Sequence, residues 1–401
     1  MALVQTEPKK IYLWTNEVKW VFYWENKVRP PYKPRTFTIS RTEQSNMSSW
    51  WTYSDDAAWL TAGDGAFDDF FWYSAVLLNT SGVETAEMKQ SWWVFSWAMT
   101  TLGNITSGDN VMIKFPVRWI KMTKSWSTVT LSITEELNKS WYQYYAHSTW
   151  TLASPWTPKD AFYLGAYKWF TSSSKLKSWS WKAPDTNVTQ ANSCTYAKSN
   201  GSWYNIWWFY QRMYITALYM MKYGNPNSQS VVWQWYTNWS SYQSTWATNS
   251  ITNATWATTT SSTWRIKLFW LEDRWGNTPE WVWWAYTNSS KVLYCMLTGR
   301  AWTLSWWEST WTTITQTSSY TCLSSVAGNN KSMFAPIWTV NNSSWNTYYS
   351  SYNGVNGSCL WSAWGSLYDA TGSGIFEWII TNIDITGNVS GSRLMYLNWL
   401  T

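Results

Sequence analysis

Tryptophan outnumbers glycine by more than two to one in this chain, 42 residues against 18 in 401, and that imbalance limits what the chain can fold into. Glycine ordinarily supplies about 7% of a protein. Tight turns, helix ends and bulges need a backbone conformation that a side chain obstructs. Here the bulkiest side chain stands where a turn wants none, in Thr237-Asn238-Trp239-Ser240, Asn253-Ala254-Thr255-Trp256, Ser343-Ser344-Trp345-Asn346 and Asn398-Trp399. After Asn, in a loop of Ser and Thr, glycine is the expected residue. The pattern is that of a UGA codon written as tryptophan where the cell inserts glycine, an alternative genetic code. Most of these residues are therefore expected to be glycine in the native protein. The competing reading is a Trp-rich, adhesive surface. The recoding reading expects Trp239, Trp246, Trp256 and Trp345 in exposed turns, some at positive φ.

Composition bounds the function classes. A chain of 401 residues can bury a substantial core as one large or two smaller domains. Only 13% of residues are charged, so Ser, Thr, Asn and Tyr must cover the surface. The net charge of +6 is spread without a basic stripe, which argues against a nucleic-acid partner. No apolar run reaches membrane-spanning length, so membrane insertion is not expected. Met1 to Lys10 has no apolar core of an export signal. Cys194, Cys295, Cys322 and Cys359 are widely spaced with no CxxC pair, which indicates neither a zinc site nor a dense disulfide framework. With His147 as the only histidine, imidazole-dependent triads and multi-histidine metal sites lack material.

Along the chain, Lys10 to Val28 reads as a small β element and Lys27 to Arg35 (KVRPPYKPR) as an extended proline-rich connector. The domain boundaries drawn from this are 1–45, an N-terminal β region with its linker, and 46–401, the main domain. Asp55, Asp56, Asp64, Asp68 and Asp69 form an acidic patch whose spacing fits no standard calcium loop, and a solvated loop is the expectation. Val111 to Pro116, Thr128 to Ile133 and Phe162 to Tyr167 have strand character. Phe209 to Tyr223 is the one convincing helix: Met213, Ala217, Met220 and Met221 recur at helical spacing, and Gly224-Asn225-Pro226 supplies a stop. Ser228 to Ser262 has the composition of a long loop.

The C-terminal stretch Gly374 to Asn398 differs from the rest. Its ends look structural, but from Ile379 to Ser390 every residue is Ile, Thr, Asn, Asp, Gly, Val or Ser. Each can be reached from an Asn codon by changing only its two adenines, which is what adenine-directed diversification would leave behind. An ordinary β hairpin of β-branched and turn residues is the alternative.

Several segments, taken in order, resemble a known family. They are Phe162-Tyr163-Leu164-Gly165-Ala166-Tyr167, Tyr223-Gly224-Asn225-Pro226-Asn227-Ser228-Gln229, and Leu271-Glu272-Asp273-Arg274-Trp275-Gly276-Asn277-Thr278-Pro279-Glu280-Trp281-Val282. Ser362-Ala363-Trp364-Gly365, Gly374-Ile375-Phe376-Glu377-Trp378 and Gly391-Ser392-Arg393 complete the series. Together they resemble C-type-lectin-fold proteins of the formylglycine-generating-enzyme type, including phage tail-fibre receptor-binding proteins and the variable proteins of diversity-generating retroelements. The resemblance covers residue 110 to the end. It implies an α+β, C-type-lectin-like fold of short twisted strands with few helices, preceded by the small β N-terminal region.

The resemblance also implies a division of labour. The WGN-x-x-EWV segment and the closing Gly-x-Arg are scaffold, and the residues between the last aromatic strand and that arginine contact ligand. The implied ligand-binding residues are Phe376, Trp378, Ile379, Ile380, Asn382, Ile383, Asp384, Ile385, Thr386 and Asn388, with no cofactor. Trp275, Trp281, Trp364 and Trp378 match family tryptophans, whereas Trp169, Trp181, Trp284 and Trp361 stand where the family tends to carry glycine. Tyr348, Tyr349, Tyr352 and Tyr368 with neighbouring Ser and Asn have the composition that paratopes use. The implied partner is a cell-surface protein or glycan. The implied location is a virion tail or bacterial surface, as a homo-oligomer that is a trimer in a tail fibre. The enzymes of this fold need a reactive cysteine pair bound to copper. Cys322 and Cys359 are the one conceivable pair, outside the enzyme's pattern, so no enzyme activity is expected.

Overall fold

The computed structural model describes residues 33–43, 51–88, 105, 107–148, 152, 155, 157–186, 188–232, 243–245, 255–258, 264–296, 308–314, 321–340, 349–350, 359–363, 375, 378–382 and 392–397. Lys10 to Val28, Trp239, Trp246, Trp345, Tyr348, Tyr352, Trp364 and Tyr368 lie outside them. Within them the chain is α+β, with short antiparallel strands predominating and few helices.

Three sheets carry most of the structure. The first orders its strands Thr52–Asp55, Thr36–Thr42, Thr128–Thr134 and Trp119–Ser125. The second runs Tyr204–Ile206, Leu394–Tyr396, Ala161–Gly165, Asn110–Pro116, Ser74–Leu78 and Glu84–Met88. The third runs Glu308–Thr313, Val292–Cys295, Glu280–Thr287, Cys359–Ala363 and Trp378–Asn382. Thr36–Thr42 lies on the N-terminal side of the boundary drawn at residue 45. It is nevertheless hydrogen-bonded along its whole length to Thr128–Thr134, so this strand belongs to the same ladder as the main domain.

The helix occupies Phe209–Tyr223, as its periodicity predicts, but its burial goes further than one apolar face. All fifteen of its residues are buried. A helix surrounded on every side must find partners for its polar groups, and most of its polar side chains do, the buried Tyr223 hydroxyl being an exception. The Tyr210 hydroxyl donates to the Lys331 carbonyl at 2.7 Å, that of Tyr214 to Pro116 at 2.9 Å, and Gln211 Nε2 to Ala146 at 2.8 Å. Lys222 Nζ reaches both Asp68 carboxylate oxygens at 2.7 and 2.8 Å. Gln211 Oε1 accepts from the Trp208 backbone N–H at 2.9 Å and caps the first turn. Gly224, at φ 56°, closes the last with its N–H on Met220 O. Phe115 and Phe162 stack at 5.3 Å, and Tyr214 meets both rings edge-on.

Three members of the acidic patch have structural contacts, while Asp55 and Asp69 are exposed as a solvated patch would have them. Asp56 accepts from Thr36 N at 2.7 Å, Asp64 from Ala66 N at 2.8 Å, and Asp68 from Lys222 and the Tyr73 hydroxyl. The long-loop expectation for 228–262 is interrupted by a short helix, Ser228–Val231, and a strand, Thr255–Thr258. Trp256 is therefore on a strand opposite Ile266, not in a turn, because residues 264–268 return antiparallel and pair with it.

Candidate functional site

In chain order the segment Ile379 to Ser390 begins on a strand of one sheet and is followed by a strand of another. Its first residues belong to the strand Trp378–Asn382, the last in order of the third sheet, which pairs on one side with Cys359–Ala363 among the described residues. Ile379 lies opposite Ser362, Ile380 opposite Trp361 and Asn382 opposite Cys359. The chain resumes at Ser392 and enters the second sheet through Leu394–Tyr396. Phe376, Ile383, Asp384, Ile385, Thr386 and Asn388 lie outside the described residues. Of the ten predicted ligand residues, Trp378, Ile379, Ile380 and Asn382 are thus placed on one strand.

What holds the far end of the segment is a buried ionic knot. Arg393 is fully buried and uses its whole guanidinium. Nε and Nη2 donate to Glu280 Oε1 at 3.1 and 2.9 Å, Nη1 to the Gly165 carbonyl at 2.7 Å, and Nη2 to the Glu272 carbonyl at 2.8 Å. One side chain thereby ties the closing strand to the Ala161–Gly165 strand and to both ends of the Leu271–Val282 segment. Lys168 Nζ lies 3.5 Å from Glu280, also fully buried, and donates to the Thr278 carbonyl. Burial alone would raise the Glu280 carboxyl, but Arg393, Lys168 and Arg274 bring it below its usual range. Burial lowers the Lys168 amine to about 8 against the pull of Glu280.

The Leu271–Val282 segment is folded by its own turn chemistry. Asp273, Gly276 and Asn277 all have positive φ, at 56°, 73° and 61°, a conformation that Gly, Asn and Asp tolerate best. Asn277 locks the turn by donating to Asp273 Oδ2 at 2.8 Å and to the Gln243 carbonyl at 3.0 Å. Trp275 and Trp281 are buried, and the Trp281 indole N–H donates to Val188 O at 2.9 Å. Leu394 and Tyr396 are buried as well.

At the near end Ile375 is buried, with its N–H on the Ser228 hydroxyl at 3.1 Å and its carbonyl 3.3 Å from Arg212 Nη2. Both ends of the candidate surface are therefore fixed by the core. No family model and no curated protein matches the chain.

Sequence reasoning missed Lys168 and Arg212. A lone cation beside an aromatic or within an apolar helix gives no local signal. Their partners, Glu280 and the Ile375 carbonyl, lie 112 and 163 residues away. The Cys194 and Cys295 thiols and the His147 imidazole are quiet. Burial pushes the Cys194 and Cys295 thiols well up, which keeps them protonated. Burial also lowers His147 to about 3, with the nearby Arg118 adding to the effect. Cys322 and Cys359 lie on strands of two different sheets. No helix among the described residues is long and apolar enough to cross a membrane.

Proposed function

We propose that this chain is a ligand- or receptor-binding protein with a C-type-lectin-like fold, displaying a diversifiable surface at Ile379 to Ser390. It acts on a phage tail or a bacterial surface against a protein or glycan target. The observation that carries this reading is the contrast between the segment and its ends. Ile375 and Arg393 are each seated in the buried core by hydrogen bonds, while the residues between carry a composition that adenine-directed codon changes generate. A rigid frame with exchangeable side chains lets specificity change while the fold stays fixed.

Binding rather than catalysis also fits the titratable groups. The Cys194 and Cys295 thiols and the His147 imidazole are buried and held neutral, which is poor material for a nucleophile or a general base.

A structural virion protein is the second reading, favoured by one observation. Trp378–Asn382 is paired over five positions with Cys359–Ala363, so the first residues of the segment have a structural duty. Target capture separates the two. Purified chain is tested for binding to candidate host cells and to a glycan panel, alongside a variant with Asp384, Thr386 and Asn388 changed to Ala. The binding reading expects capture that the variant loses while its melting curve stays in place. Capture unchanged in the variant contradicts it.

A further inference from the structure

Fifteen non-glycine residues among those described have positive φ, and six of them are tryptophan: Trp72, Trp126, Trp141, Trp181, Trp270 and Trp311. Tryptophan is 42 of 401 residues, so chance would place one or two there. Four of the other nine are Asn or Asp, the residue types that tolerate this region, whereas a bulky side chain there is a genuine outlier.

Five of the six tryptophans occupy a position whose turn type calls for glycine. Trp126 is the first of two residues joining Trp119–Ser125 to Thr128–Thr134, at φ 55°, in a hairpin whose Ser125 pairs with Thr128. A two-residue hairpin with positive φ at its first position alone takes glycine there. Phe269 and Trp270, at φ 50° and 63°, join Trp264–Leu268 to Leu271–Glu272. Positive φ at both positions is the X-Gly hairpin turn. Trp141, at φ 69°, is the third residue of a turn closed by Tyr142 N on Lys139 O at 3.2 Å, where a type II turn requires glycine.

Trp72, at φ 55° and ψ 41°, ends the Ala66–Phe71 helix with its N–H on Asp68 O. Gly224 does the same at the end of Phe209–Tyr223, at φ 56°. Trp311, at φ 60°, lies where the Glu308–Thr313 strand bulges against Val292–Cys295, another glycine position. Five of the six, all but Trp270, are among the exposed large hydrophobics, with Trp126 96% exposed.

Exposure alone would suit an adhesive aromatic surface. A left-handed backbone would not, because an adhesive indole needs reach and no particular φ. We infer that Trp72, Trp126, Trp141, Trp181, Trp270 and Trp311 are glycines in the native protein, each encoded by a UGA codon that the producing cell reads as glycine. Trp281 is the internal contrast: its φ is negative, it is 2% exposed and its indole N–H is satisfied by Val188. It remains tryptophan, encoded by UGG. One consequence is functional. The exposed indoles at these turns are not ligand contacts, so target recognition falls to other parts of the surface.

The test is peptide sequencing by mass spectrometry on protein from its natural source, read beside the codons of the gene. Glycine at 72, 126, 141, 181, 270 and 311 over UGA codons, with tryptophan at 281 over UGG, is the expected result. Tryptophan in the native peptide at 126 or 141, UGG codons at those positions, or glycine at 281 overturns the inference. The outcome is independent of whether Ile379 to Ser390 binds a target.

Discussion

Arg393 and Glu280, 113 residues apart in sequence, meet with both side chains wholly buried, the guanidinium Nη2 2.9 Å from the carboxylate. The pair closes the chain's last strand onto the Leu271–Val282 segment and so sets where the candidate surface ends. Its two charges are compensated only together, with Lys168 drawing on the same carboxylate. Glu280→Gln should therefore leave two buried cations facing a neutral amide. The expected cost is about 3–5 kcal/mol, read as a fall in the denaturant midpoint; a change within about 0.5 kcal/mol would mean the knot is not what holds the frame.

The ligand segment should behave oppositely. Replacing Ile379, Ile380, Ile383 and Ile385 by Ser is expected to abolish target capture while costing less than about 0.5 kcal/mol per exposed site. Binding and melting are measured on the same preparations. Unfolding of the domain by these replacements would make the segment an ordinary core strand and favour the structural reading.

A stability difference should follow from the left-handed tryptophans in the chain as written. Trp126→Gly relieves a conformation that costs a side chain about 1–2 kcal/mol, and its exposed indole gives up no packing. Glycine's greater unfolded-state freedom offsets about 0.5–1 kcal/mol of that. A net gain of up to about 1 kcal/mol is expected, against a loss of at least about 3 kcal/mol for the buried Trp281→Gly. Equal losses at both sites would remove the strain argument.

Much of this was legible in the sequence, and what was not has a physical reason. The Phe209–Tyr223 helix was readable because apolar spacing and the Gly224 stop are local. Its complete burial was not, since Arg212 and Lys222 look like solvent-facing residues until their distant partners, Ile375 and Asp68, are known. Thr36–Thr42 was hidden for the same reason: its ladder partner, Thr128–Thr134, is remote. The WGN turn and the Arg393 anchor were visible through the family resemblance rather than through periodicity. Trp126 was not singled out, since Lys124-Ser125-Trp126-Ser127 lies outside the Asn-bearing loops, although two strands separated by two residues are themselves a hairpin signal.

Acid should destabilise the fold through His147. In the folded state burial keeps this imidazole neutral down to about pH 3, with Nε2 3.1 Å from the Phe115 carbonyl. In the unfolded chain it takes a proton near pH 6.5. The unfolded state thus binds more protons between these values, and stability is lost as pH falls through that window at up to about 1.4 kcal/mol per pH unit. Between pH 6.5 and 5, above the range of most carboxylates, His147→Gln should flatten the slope of stability against pH. An unchanged slope would show that His147 is not the group responsible.

The central claim, a fixed frame carrying an exchangeable surface, is tested most directly by sequencing the gene from many individuals of its natural population. Substitutions are predicted to concentrate in the codons for Ile379 to Ser390, at positions derived from adenine, while the codons for Glu280 and Arg393 stay constant. Substitutions spread evenly along the gene, or a segment as constant as its frame, would contradict it.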